Sequence, residues 1–161
     1  MDVHKSDIRS KNMSAIRSRN TAPEIFVRKA LHALGYRYRL HPKALPGKPD
    51  IVLPKYRAII LVHGCFWHNH GCRLFKLPKT RVDFWKAKLE SNVLRDLLTE
   101  TRLTDLNWRI AVVWECSLKG KTRIPKIELT EKLSEWLQSD ESNFSITAQV
   151  SDSDYPTQGV L

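Results

Sequence analysis

The chain has 161 residues, enough for one domain with its own apolar core and no dependence on disulfides. Its 27 Lys and Arg against 17 Asp and Glu give a formal charge of +10, which points to a polyanionic partner, nucleic acid first; a membrane surface would ask for an apolar anchor or a strongly amphipathic basic helix, and neither stands out. No apolar run approaches the roughly 18 residues of a spanning helix, and the opening MDVHKSDIRSKNM lacks the apolar centre of a signal peptide, so a soluble protein of the cytoplasm is expected.

Residues 1–20 carry Lys5, Arg9, Lys11, Arg17 and Arg19 among polar neighbours and read as a basic arm suited to following phosphates. Thr21 to Glu24 then forms a T-x-x-E capping box ahead of Val27, Ala30, Leu31 and Leu34, which share one helical face, and Gly35 supplies the stop. Three short β-rich stretches follow, at Tyr36 to Leu40, Asp50 to Leu53 and Ala58 to Val62, separated by Pro- and Gly-bearing turns. Beyond a Cys/His-rich loop, Thr80 to about Leu106 predicts a long charged helix with Trp85, Leu89, Val93 and Leu97 on one stripe. Arg109 to Trp114 reads as a buried strand and Leu129 to Leu137 as a closing helix. This order predicts an α/β sandwich around a mixed sheet, with one domain over 21–138 and a mobile polar tail over 139–161.

The cysteines are three, Cys65, Cys72 and Cys116, and in a reducing cytosol they suggest metal ligation or burial before disulfides. Residues 63–72, HGCFWHNHGC, hold three histidines and two cysteines, a density that burial does not call for. A structural zinc ion takes four thiolate or imidazole ligands in a tetrahedron, and Cys65, His70 and Cys72 lie within reach of one another. Cys116, just past the strand at 109–114, completes a Cys3His set if that strand packs beside the loop; His68 competes as the imidazole. The spacing is not that of a zinc finger, and the letters His-Asn-His at 68–70 are unrelated to the HNH nuclease motif, whose residues are widely spaced.

Phosphodiester cleavage by a metal nuclease needs a carboxylate to hold Mg²⁺ and a group that moves protons. Asp50, after Pro49 at the start of a strand, is the best such carboxylate and resembles the Pro-Asp half of the PD-(D/E)-x-K signature. The acid and lysine of the other half are missing, because the next strand ends Leu61-Val62-His63. That strand instead delivers His63, and His68 follows five residues on, giving two imidazoles that can act near neutral pH. Glu24 reads equally well as the reciprocal member of its capping box, and Asp96 as an exposed helix residue beside an arginine.

Taken together, LPGKPDIVLP, VHGCFWHNHGC, RLFKLPKTR, FWKAKLESN and WRIAVVWEC resemble the very short patch repair endonuclease family, over about Ile8 to Leu137. The resemblance implies a restriction-endonuclease-like three-layer fold with a structural zinc, and nicking 5′ to the T of a T:G mismatch left by deamination of 5-methylcytosine. It further implies Mg²⁺ on Asp50 and the backbone carbonyl of Val62, His63 and His68 assisting water and leaving oxygen, Asp96 orienting a histidine, and Glu24 at the edge of the site. Zinc would be held by Cys65, His70, Cys72 and Cys116. Phe66, Trp67 and Trp85 would wedge into the base stack beside the mismatch, with Met13 entering from the minor groove.

A cytosine methyltransferase encoded nearby, mismatch-repair proteins and a repair polymerase would be its associates, and a monomer at the bacterial nucleoid its working form. Two departures from the family pattern stand out: Val62 where some members have Thr, and Asn20 where an acid is common. The rival readings are a restriction-type Mg²⁺-dependent endonuclease indifferent to mismatches, and a zinc-bearing DNA-binding protein without catalysis.

Overall fold

The computed structural model describes residues 19–149. Among these, three helices and five strands appear in the order α1 (Ala22–Ala33), β1 (Arg39–Leu40), β2 (Ile51–Leu53), β3 (Ala58–His63), α2 (Val82–Asp105), β4 (Arg109–Trp114), α3 (Lys126–Gln138) and β5 (Asn143–Ile146). The strands form one mixed sheet in that same order, antiparallel from β1 to β3 and parallel from β3 to β5.

Local chemistry explains the start of the fold. Thr21 caps α1, its hydroxyl accepting the backbone N–H of Glu24, and a cap of this kind stabilises a helix by about 1 kcal/mol. The helix ends in a left-handed Gly35, φ +93°, with Tyr36 N–H returning to the Leu31 carbonyl and Gly35 N–H to that of His32. Val27, Ala30 and Leu31 are buried, as their shared face requires, whereas Leu34, expected on the same face, is the C-terminal cap residue and is exposed because the helix has already ended.

The two faces of the sheet are covered by different helices. On one, Val27 and Leu31 of α1 and Leu129, Leu133, Trp136 and Leu137 of α3 pack with Ile51, Leu53, Ile60, Ala111 and Val113. On the other, Leu103 of α2 packs with Val52, Ile59, Leu61 and Ile110. Alternate residues of the inner strands therefore go to opposite layers, and β2 and β3 are apolar up to His63, as a sheet covered on both sides demands.

Two expectations are corrected here. The stripe on α2 is not a core stripe: Leu89 is buried, Trp85 and Val93 are partly exposed, and Leu97 is 56% exposed. Contact with the sheet is made lower down, at Leu103, which leaves the N-terminal half of α2 over the Cys/His loop. The segment from Ser139, expected as a polar tail, instead supplies β5, parallel to β4. Ile146 is buried and Phe144 stacks 6.2 Å from Trp136, while Asn143 and Ser145 face out; this two-residue alternation is hidden in a stretch dominated by Ser and Asp.

Candidate active site and metal centre

The Pro-Gly turn between β1 and β2 is pressed on α2, since a Cβ at Gly47 would collide with the side chain of Thr99. That turn delivers Asp50 to the edge of β2, where its Oδ2 accepts the backbone N–H of Val62 at 2.8 Å. In an extended strand a residue's N–H and C=O face the same neighbour, so the Val62 carbonyl looks to the Asp50 side as well. Burial pushes the Asp50 carboxyl up to about 8, and the negative charge of nearby Glu24 adds to the rise.

Glu24 is buried, and its Oε2 accepts the backbone N–H of Asn20 at 2.9 Å, one residue before the cap. Asn20, left-handed at φ +56°, also accepts from Arg28 at 2.8 Å through its side-chain oxygen. The capping and site readings of Glu24 are thus compatible. The same Oε2 stands 3.1 Å from His41 Nε2, which is in turn 3.7 Å from Asp50 Oδ1.

His41 was not foreseen as a site residue. Eight residues, a Pro/Gly turn among them, separate it from Asp50, and only the register of β1 on β2, Leu40 opposite Ile51, puts His41 opposite Asp50. That hairpin register was the one signal able to find it.

The next residue of β3, His63, is buried and stacks on His68, with ring centroids 3.7 Å apart and planes within 2°. Burial, and then the charge of His68, hold the His63 imidazole down at about 3, so it is neutral at physiological pH. His68 Nδ1 lies 2.5 Å from Asp96 Oδ2 on α2. Asp96 is therefore paired with a histidine and not with an arginine. The ring of Trp114, at the end of β4, meets His63 and His68 edge-on at 5.2 and 6.4 Å, a support the sequence reading did not single out.

Cys65, His70, Cys72 and Cys116 form the second cluster, each offering a ligating atom within 4.8 Å of the others. Tetrahedral neighbours on a zinc with bonds of about 2.3 Å to sulfur would sit roughly 3.8 Å apart, so this donor set fits such an ion. The resolution of the imidazole question is geometric: His68 turns to Asp96, whereas His70 Nδ1 lies 3.7 Å from Cys116 Sγ and its ring stacks 4.0 Å from Trp114. The hydrogen bond between Cys65 and Cys116 raises the Cys65 thiol and, with the Ala148 N–H, draws Cys116 down to about 5. The chain two residues past β5 reaches this cluster through that N–H, 3.3 Å from Cys116 Sγ.

A group of rings joins the Cys/His loop to α2. Phe66 meets Trp67 at 5.0 Å, Trp85 at 5.5 Å and Phe75 at 6.0 Å, and Trp67 meets Trp85 at 6.1 Å. Phe66, Trp67, Phe75 and Trp85 are all half-buried, and Asn92 fixes the loop by donating to the Trp67 carbonyl at 2.9 Å. Met13 lies outside the described residues, as does nearly all of the basic arm.

Residues 1–74 match the family model described as DNA mismatch endonuclease Vsr. Over 148 residues, covering 92% of this chain and 95% of the relative, the sequence is 45% identical to the DNA mismatch endonuclease Vsr of Escherichia coli strain K12. It is 56% identical over 106 residues to the type II nicking enzyme V.XorIIP of Xanthomonas oryzae pv. oryzae, covering 66% of this chain and 78% of that one. A third relative, the type II nicking enzyme V.NmeAIP of Neisseria meningitidis serogroup A, is 45% identical over 120 residues, 74% of this chain and 86% of the other.

Proposed function

The chain belongs to the DNA mismatch endonuclease Vsr family, and from that premise we propose that it nicks one strand of double-stranded DNA 5′ to the T of a T:G mismatch. The observation carrying the chemistry is the junction at Val62 and His63: the backbone that donates its N–H to Asp50 continues directly into the first of two stacked imidazoles, the second of which is held by Asp96.

In this reading the fold is restriction-endonuclease-like, with β2 and β3 supplying the Pro-Asp strand and its partner. The carboxylate of Asp50 and the carbonyl of Val62 hold Mg²⁺, and their common orientation fits a hard cation that takes oxygen ligands. When bound, that ion polarises the scissile phosphate and offsets its developing charge. Neutral His63 accepts a proton from the attacking water side. His68, whose tautomer and ring plane are fixed through Nδ1 by Asp96, presents Nε2 to the phosphate, and Glu24 borders the same cavity from α1.

Zinc on Cys65, His70, Cys72 and Cys116 staples the 63–72 loop to the end of β4, holding Phe66, Trp67 and His68 at fixed spacing. Phe66, Trp67 and Trp85 form the wedge, because a ring group left half-exposed over a basic surface is free to enter a base stack that a mismatch has already weakened. The basic side chains of residues 1–20 serve phosphate binding, and Met13 the minor-groove side of the mismatch. The associates are a cytosine methyltransferase encoded nearby, mismatch-repair proteins and a repair polymerase, with the enzyme a monomer of the bacterial cytoplasm. Among the described residues, no helix is long and apolar enough to cross a membrane.

The test is nicking of one labelled duplex carrying a single T:G pair against the same duplex with T:A, in Mg²⁺ and after chelation. Strand-specific nicking of the first alone is expected. Equal cutting of both would favour a restriction-type enzyme, and tight binding with no cutting a binding protein.

A further inference from the structure

His41 combines three properties that a bystander at the rim of a hydrogen-bonded hairpin does not need. It is a non-glycine residue in the left-handed region, φ +46°, a conformation that costs energy and is kept only where the surroundings enforce it. Its side chain is only 12% exposed. Its Nε2 is enclosed and makes no hydrogen bond among the described residues, although it lies 3.1 Å from Glu24 Oε2 and 3.7 Å from Asp50 Oδ1. A buried ring nitrogen that close to two carboxylates, yet aligned for a bond to neither, has its polar atom directed at the space among them.

The spacing is that of a coordination shell. An octahedral ion with bonds of about 2.1 Å sets adjacent ligands roughly 3 Å apart and opposite ones about 4.2 Å apart. The two separations at His41 Nε2 fall between those limits, and the ligating atoms of Glu24, His41 and Asp50 all lie within 4.8 Å of one another. Resting on the reading that Asp50 holds the catalytic divalent ion, we propose that His41 is a further protein ligand of that ion, through Nε2, with Glu24 completing a two-carboxylate, one-imidazole face.

An imidazole changes what such a site prefers. Oxygen-only sites suit Mg²⁺, whereas imidazole suits first-row transition ions, whose affinity for such a site rises from Mn²⁺ through Co²⁺.

The probe is Mn²⁺ added to the full, zinc-loaded chain and followed by pulsed electron paramagnetic resonance, which detects nitrogen bonded directly to the ion without any turnover. Wild type should show a ¹⁴N coupling that becomes a ¹⁵N coupling when histidine alone is ¹⁵N-labelled. His41→Gln should lose the coupling and bind Mn²⁺ at least about tenfold more weakly, with zinc content and melting temperature retained. Should His41→Gln fail to fold, His41→Asn takes its place, and the labelled wild type needs no variant. Absence of nitrogen coupling in wild type, or its persistence in the folded variant, overturns the proposal. T:G nicking by the same wild-type sample is scored separately, so loss of the mismatch reading and loss of the His41 ligand are told apart.

Discussion

His63 and His68 lie ring on ring, 3.7 Å between centroids, while a carboxylate, Asp96 Oδ2, binds the outer ring at 2.5 Å through Nδ1. The two imidazoles are unequal: burial holds His63 neutral, and His68 is the one held by a carboxylate. Two cations stacked this closely would repel, so at most one of the pair is charged at a time. A proton taken on one side of the reaction and given on the other fits that arrangement.

The division of labour is testable by single-turnover nicking of a T:G duplex. Asp96→Asn keeps the size of the side chain but frees the His68 tautomer, and should lower the rate constant about 10²-fold; His68→Ala, removing the group, should lower it about 10³-fold. Duplex affinity should change little in either. An Asp96→Asn enzyme with full rate and an unaltered pH profile would show that the contact is structural alone.

Stability should depend on pH through Asp50. Its folded value of about 8 lies above the ordinary carboxylate value of 3.8, so between those limits the folded chain keeps a proton that the unfolded chain has released, and stability falls as pH rises. His63 has the opposite sign: with its folded value near 3 and ordinary value 6.5, the unfolded chain binds the extra proton in that window and stability rises with pH. The two slopes oppose each other up to about pH 6.5, leaving Asp50 alone from there to about pH 8. Zinc-loaded, Mg²⁺-free wild type should therefore lose roughly 1 to 2 kcal/mol relative to Asp50→Asn over that upper interval. Parallel melting curves for the two proteins from pH 6.5 to 8 would refute it.

What could be read from the sequence divides along physical lines. The capping box at Thr21, the apolar β2 and β3 and the strand at Arg109 are local patterns, and each appears where those patterns lie. The Cys/His loop announces itself by density, and joining Cys116 to it needed only the step that β4 packs beside β3. His41, Trp114 and β5 depend on register or on packing across distant segments, which composition does not encode. For Asp96 the local pattern could not separate a histidine partner from an arginine, and only the family resemblance implied the histidine; the separation of 28 positions from His68 is closed by α2 lying over the loop.

Zinc removal should unfold the loop from β4. Cys72→Ser and Cys116→Ser each take a thiolate from the four-ligand cluster, and loss of a structural metal ranks among the few single changes costing more than about 4 kcal/mol. Metal content by atomic emission, with denaturant melts, should show zinc lost and the midpoint shifted well down in both. Cys116→Ser should be the more damaging, because Cys116 also accepts the Ala148 N–H that ties down the chain beyond β5. A folded, zinc-free variant of wild-type stability would remove the structural role of the cluster.

The ring group is the place to test mismatch sensing. A core tryptophan truncated to alanine costs about 3 to 5 kcal/mol of stability, but Trp67 is half-buried and touches other half-buried rings, so Trp67→Ala should cost far less. Base stacking on an aromatic side chain is worth about 1 to 3 kcal/mol, so loss of the wedge should weaken T:G binding by about tenfold or more. Matched T:A duplex, where unstacking opposes insertion, gains less from the ring and should lose less affinity. The comparison must be made at one salt concentration, because a chain of net charge +10 binds any duplex more weakly as salt rises. If Trp67→Ala binds T:G and T:A duplexes with wild-type discrimination while its melting temperature collapses, the rings serve the fold; retained stability with discrimination gone assigns them to the mismatch.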